Sequence, residues 1–136
     1  MRKRTRSREL ALQLLYQLDA RGDEAESLIE PFLQEQEPDD TELHAFTRQL
    51  VSGTRGAMEE IDTMLTAAAD NWRLDRMALV DRNILRMALY EMLHLDEVPA
   101  KVAINEAIEL GKRFSTQQSG SFINGILDRI RRERSL

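Results

Sequence analysis

The chain has 136 residues, of which 42% are hydrophobic and 5% aromatic, and a net charge of −5. This length accommodates one domain or two small subdomains that share a core. The absence of cysteine excludes disulfide bonds, cysteine-ligated zinc and thiol catalysis. No apolar run is long and uninterrupted enough for a membrane or secretory segment, so we expect a cytoplasmic protein.

Positive charge is concentrated at the N-terminus. Five of the 19 basic residues lie within residues 1–8, here called the basic arm, and all 24 acidic residues lie from Glu9 onward. The arm leads into helix one, which we predict from about Thr5 to Ala20. Cations oppose the dipole at a helix N-terminus, whereas five cations without a neighbouring acid can neutralise nucleic-acid phosphates. The arm is therefore interpreted either as a phosphate-binding segment or as a solvated tail.

Three further helices follow in the first half of the chain. Acidic residues at 23–26 open the first of them, which has its apolar face at 28–33, and apolar residues at helical spacing predict the other two at about 43–51 and 58–70. Pro31 lies inside the first of these segments, so we expect that helix to be short or kinked. A polar connector at 71–76 then contains the only tryptophan, Trp72, which we expect to fill a gap between the two halves of the molecule.

The second half contains the most apolar helix, from Met77 to Leu95, and then two helices within 98–130. A polar break at 115–120 separates these last two. Pro99 suits a first helical turn, and Ser119 or Ser121 can cap the final helix. About seven helices without a strand pattern predict an all-α fold of two packed antiparallel helical subdomains, at about 1–56 and 57–136.

The sequence contains no convincing pattern of catalytic or metal-ligating residues. Gly53 and Gly56 lack the lysine and hydroxyl residue of a phosphate-binding loop. His44 and His94 lack a partner at metal-ligand spacing. We therefore predict that the chain is not an enzyme and that it has no cofactor or metal site.

Three segments carry a family resemblance: RSRELALQLLYQLD, then DRNILRMALYEM, then PAKVAINEAIELGKRF with SFINGILDRI. In this order they resemble the NusB family of bacterial transcription antitermination factors over nearly the whole chain. The resemblance implies binding to boxA RNA of nascent ribosomal RNA transcripts, as a heterodimer with NusE, a small-subunit ribosomal protein. It also implies that this complex joins other Nus factors on RNA polymerase and suppresses termination.

The resemblance further implies which residues contact each partner. The expected RNA-binding residues are Lys3, Arg4, Arg6, Arg8, Arg86, Gln118, Ser121 and Phe122. The expected NusE-binding residues are Tyr16, Asp75 and Asp81. An aromatic ring beside arginines at a helix N-terminus can stack an unpaired base, and burial of Phe122 in the core is the alternative.

Two other functions are compatible with the sequence. One is a helical protein–protein adaptor whose basic arm is only a solvated tail. The other is a stand-alone relative of the RNA-binding domain of RNA cytosine methyltransferases; against it, the chain ends at Leu136 and has no cysteine nucleophile. The free protein is expected to be either a monomer or a homodimer.

Overall fold

A computed structural model describes residues 2–70 and 72–136, without the side chain of Arg2. The parts of the predicted arm that lie outside the described residues are Met1 and the side chain of Arg2. The part of the predicted connector that lies outside them is Asn71. Within the described ranges there is no strand, and the seven α-helices are α1 (Arg2–Arg21), α2 (Ile29–Gln36), α3 (Thr41–Gly56), α4 (Met58–Ala68), α5 (Leu79–His94), α6 (Ala100–Phe114) and α7 (Ser119–Arg134). The prediction of an all-α fold with about seven helices is confirmed.

Helix α5 lies at the centre of the molecule. It contacts α1, α3, α4, α6 and α7, and all of residues 83–92 are buried. A helix that is buried on every side belongs in a core. The buried apolar residues of the described chain form one cluster to which all seven helices contribute. The division into subdomains near residue 56 coincides with the end of α3 and stays a prediction.

The segment around Pro31 is a 3-10 helix, Asp23–Leu28, followed by the short helix α2. Pro31 is the third residue of α2, within its first turn, where a backbone N–H has no partner inside the helix. The expectation of a short or kinked helix is confirmed.

Glycine allows α3 to approach α5 closely. A Cβ atom added to Gly53 would overlap the ring of Tyr90, which is buried in the core. A Cβ atom added to Gly56, one turn further along the same helix, would meet open space. The two glycines of α3 therefore differ in function, since only the first is required for packing.

The expectation that Ser119 or Ser121 caps α7 is wrong, because both lie inside the helix and Gln118 occupies the N-cap position. The Ser119 hydroxyl instead accepts a hydrogen bond from the Thr116 backbone N–H, at 3.3 Å. None of the described helices combines the length and the apolar character needed to cross a lipid bilayer.

Candidate functional site

The described part of the basic arm is the first two turns of α1. Lys3 and Arg4 are exposed. Lys3 Nζ lies 3.3 Å from Asp40 Oδ1, and the Arg4 guanidinium lies 4.1 Å from the centroid of the Phe46 ring. Arg6 is half-buried and donates from Nε to Glu37 at 2.9 Å. The cations are thus held on a rigid helix by residues of neighbouring elements.

Arg8, the last residue of the arm, forms a buried ion pair. Only 4% of Arg8 and 1% of Glu91 is exposed. Arg8 donates to Glu91 from Nε at 2.9 Å and from Nη2 at 2.7 Å, and from Nη1 to Glu106 at 3.1 Å. Burial raises the pKa of Glu91, because the loss of hydration disfavours the carboxylate more than the hydrogen bonds from Arg8 favour it.

Arg86 belongs to a second charged cluster, where α1 meets the start of α5. Its Nε and Nη2 atoms donate to both carboxylate oxygens of Asp62, at 2.8 and 2.9 Å, and its Nη1 atom donates to Asp19 at 3.0 Å. Asp19 also accepts two hydrogen bonds from Arg82, at 2.7 and 2.8 Å. Burial on its own would raise the pKa of Asp19. This effect is outweighed by the hydrogen bonds from Arg82 and Asn83 and by the positive charges of Arg86 and Arg82, so the pKa of Asp19 is lowered.

The two clusters lie at opposite ends of α1. Arg8 and Asp19 are 11 positions apart on this helix, which corresponds to about 16 Å at about 1.5 Å per residue. The structure therefore does not bring the arm and Arg86 into one cluster. A ligand that contacts both must extend along α1.

The remaining expected RNA-binding residues surround the start of α7. Gln118 and Ser121 are exposed, and Phe122 is half-buried and packs against the core. Gln118 and Phe122 line a cleft of about 290 Å³ that Asp81 and Trp72 also line. Phe122 is therefore neither free in solvent nor enclosed, and its ring forms one wall of this cleft.

The expected NusE-binding residues lie near the start of α5 and on the adjacent face of α1. Tyr16 is 37% exposed and lines a largely apolar groove of about 480 Å³ that extends to Val80. Asp75 is exposed and pairs with Arg73 at 2.9 Å. Asp81 is half-buried and accepts a hydrogen bond from the Ser119 hydroxyl at 3.3 Å. Asp81 thus connects the expected protein-binding face to the expected RNA-binding cleft.

Comparison with known proteins identifies the family. The model of the NusB family matches residues 5–132. The chain belongs to the NusB family. The transcription antitermination protein NusB of Geobacter sulfurreducens is 49% identical over 130 residues, which cover 96% of this chain and 94% of the relative. The corresponding protein of an Anaeromyxobacter species is 48% identical over 128 residues, which cover 94% and 89%.

Solved NusB structures have the same fold. NusB of T. maritima superposes with a TM-score of 0.87 at 39% identity, covering 96% of this chain and 91% of that one. A crystal structure of the antitermination factors NusB and NusE in complex with double-stranded RNA matches with a TM-score of 0.88 at 26% identity, covering 98% of each chain. NusB proteins are transcription antitermination factors and not enzymes, so the predictions of family, fold and lack of enzymatic activity are confirmed.

Within this NusB fold, sequence reasoning missed the position of Trp72. The expectation that it fills a gap between the two halves is wrong, since 60% of the residue is exposed. Its ring contacts Phe122 edge-on, with a distance of 5.2 Å between ring centroids. The polar character of the connector could have indicated that Trp72 is exposed, because Arg73, Asp75 and Arg76 are residue types that are common on a solvated surface.

Proposed function

We propose that this NusB protein binds boxA-type single-stranded RNA of nascent ribosomal RNA transcripts as a heterodimer with NusE. The heterodimer then joins other Nus factors on RNA polymerase in the cytoplasm and suppresses premature termination. The observation that carries this proposal is the likeness over 98% of both chains to a NusB structure determined together with NusE and double-stranded RNA. Relatives at 48–49% identity are named transcription antitermination proteins, which supports the same function.

The RNA-binding residues have different roles in this proposal. Lys3, Arg4 and Arg6 bind phosphates in this proposal, Lys3 and Arg4 from exposed positions on the first turns of α1 and Arg6 from a half-buried one. Lys3 pairs with Asp40 at the surface, and such exposed pairs are weak enough for a phosphate to replace the carboxylate. Arg8 and Arg86 support binding by positioning, because the guanidinium group of Arg8 is already occupied by the buried carboxylate of Glu91 and that of Arg86 by half-buried carboxylates.

Gln118, Ser121 and Phe122 form the second RNA contact in this proposal. Two exposed polar side chains beside a half-buried aromatic ring provide hydrogen-bonding groups and a stacking surface for an unpaired base. The separation along α1 between the arm and the cluster around Arg86 favours an extended strand. A single strand can adopt that form, and its exposed bases are accessible to the aromatic ring.

NusE binds, in this proposal, to the face that contains Tyr16, Asp75 and Asp81. Tyrosine at the edge of an apolar groove is a common interface anchor, because its ring supplies contact area and its hydroxyl group a hydrogen bond. The groove beside Tyr16 reaches Val80, the residue before Asp81, so one partner can cover the tyrosine and the acid together.

The RNA-binding role of the arm is tested by the variant Lys3→Glu/Arg4→Glu. The matched control is Arg132→Glu/Arg134→Glu, two exposed cations at the end of α7, of which Arg132 also pairs with an acid, Asp128. Binding of labelled boxA-type RNA is measured by anisotropy with and without NusE at several salt concentrations. Loss of two phosphate contacts reduces the slope of log K against log salt by about 1.4, at about 0.7 per contact.

The control should retain the salt dependence of the parent protein. Equal RNA affinity of the arm variant and the parent would refute a role of the arm in RNA binding. NusE binding without any RNA affinity of the parent complex would instead favour the helical protein–protein adaptor.

A further inference from the structure

Trp72 is an unusual surface residue. It is the only tryptophan of the chain, and 60% of it is exposed on the connector between α4 and α5. Burial of a large aromatic ring is a substantial source of stability. Because the indole of Trp72 is mostly exposed, it contributes little of that stabilisation. Aromatic residues such as tryptophan are enriched in binding surfaces relative to the rest of a protein surface.

Phe122 fixes the orientation of the indole and leaves a stacking surface free. The two rings meet at an interplanar angle of 74° with centroids 5.2 Å apart. In such an arrangement the edge of one ring points at the face of the other. Whichever ring supplies the edge, Phe122 leaves at least one indole face uncovered. Because Phe122 packs against the core, the pair is anchored.

The free indole borders more than one cleft. Trp72 lines the cleft of about 290 Å³ together with Gln118 and Phe122. It also lines a second cleft of about 640 Å³ that contains Arg73 and Arg86. The indole therefore lies between the cleft at the start of α7 and the charged cluster around Arg86.

The charges around Trp72 are mixed. The acidic residues that line the two clefts are Asp62, Asp70, Asp75 and Asp81, and the basic residues are Arg73, Arg76, Arg82 and Arg86. A balanced set of this kind does not attract a polyanion strongly at long range. Stacking on the indole depends little on net charge, because every base has an aromatic face.

We propose that Trp72 is a base-stacking residue, on whose free indole face an unpaired base of single-stranded RNA rests. Phe122 holds the indole in place, and the Gln118 side chain lies in the same cleft, where it can form a hydrogen bond with the edge of the base. Arg76, which is exposed on the same connector, neutralises a neighbouring phosphate. This inference rests on the proposed RNA-binding function and adds a residue to its RNA surface.

Intrinsic fluorescence tests the proposal directly, because all tryptophan emission of the chain comes from Trp72. Titration with boxA-type single-stranded RNA should quench this emission and protect the remaining signal from acrylamide. When NusE is present, the complex with Trp72→Phe supplies the blank. A change of emission caused by NusE alone, and not altered further by RNA, would overturn the proposal and assign Trp72 to the protein interface.

Affinity measurements with labelled RNA separate stacking from charge. Trp72→Ala should weaken RNA binding by about 5- to 150-fold, which corresponds to about 1–3 kcal/mol, and should leave the salt dependence unchanged. Trp72→Phe should retain most of the affinity. The matched control is Val102→Ala, which truncates another exposed apolar side chain that lines neither of these clefts, and we expect it to bind RNA as the parent does.

The possible failures are distinguishable. RNA binding without quenching, or equal affinity of Trp72→Ala and the parent, overturns the stacking role and leaves the proposed function intact. No RNA binding by the parent in complex with NusE overturns both. Circular dichroism and thermal melting confirm that Trp72→Ala is folded, and recovery of affinity in Trp72→Phe excludes a general structural effect.

Discussion

Replacement of Arg8 by methionine should strongly destabilise the protein. Arg8 neutralises Glu91, whose exposed fraction is only 1%, and donates to both of its carboxylate oxygens. Without Arg8 the carboxylate is buried and uncompensated, which typically costs about 3–5 kcal/mol. That loss is a large part of a typical unfolding free energy of about 5–15 kcal/mol, and it corresponds to a decrease in Tm of roughly 10–20 °C.

Addition of the substitution Glu91→Leu to Arg8→Met should restore stability. In Arg8→Met/Glu91→Leu both charges are removed, and two apolar side chains occupy the buried site, a change that is often neutral or stabilising. Glu106 also loses its contact with Arg8. However, its side chain is 18% exposed and still accepts a hydrogen bond from the Thr5 hydroxyl at 2.7 Å, so it does not become an isolated buried charge.

The instability of Arg8→Met should depend on pH. Burial raises the pKa of Glu91 above its ordinary value of 4.5 in the presence of Arg8, and removal of Arg8 raises it further. A raised pKa in the folded state means that stability is fully present below the unfolded pKa and is lost as the pH rises through the folded pKa. The single variant should therefore be least stable, relative to the parent, at neutral pH, and the difference should shrink towards pH 4.5.

Urea unfolding followed by circular dichroism at pH 7 and pH 5 measures these differences. The reasoning fails if Arg8→Met costs less than about 1 kcal/mol, or if the double variant is no more stable than the single one. RNA binding by the double variant then tests the positioning role. Near-parental affinity would exclude a direct phosphate contact by Arg8, whereas a loss comparable to that of Lys3→Glu/Arg4→Glu would make Arg8 such a contact.

Two further predictions concern packing and partner binding. Gly53→Ala should destabilise the protein by about 1–3 kcal/mol, because the new methyl group overlaps Tyr90, whereas Gly56→Ala should be neutral or stabilising by up to about 1 kcal/mol; thermal melting of the two variants provides the comparison. Tyr16→Ala should weaken NusE binding at least about tenfold, as measured by calorimetry with purified NusE. Val102→Ala, which truncates an equally exposed side chain on α6, is the control, and parental affinity of Tyr16→Ala would remove this residue from the interface.

The helices could be predicted because their signal is local. Apolar residues at spacings of three and four define one face of α6 and of α7, and the partner of that face need not be known. The start of α1 was predicted less well, at Thr5 instead of Arg2. Its first turns are supported by Asp40 and Glu37, acids of distant segments that local propensity does not reveal.

The candidate site was harder to predict because its geometry depends on pairs that are distant in sequence. In the sequence, the acids nearest to Arg82 and Arg86 are Asp81 and Glu91. The actual partner of both arginines is Asp19, more than 60 positions away. The family resemblance supplied names for contact residues, but it did not indicate which of their side chains are already occupied by carboxylates.

The ordered arm has a consequence for the thermodynamics of association. Fixing one residue of a flexible chain costs about 1–2 kcal/mol in backbone entropy, and a tail that folds on its ligand loses that amount from its binding free energy. Here residues 2–8 are helical in the unbound protein, and Lys3, Arg6 and Arg8 are connected to other helices or loops. Ligand binding at the arm therefore orders only side chains there, so the heat-capacity change contains no contribution from folding of the arm.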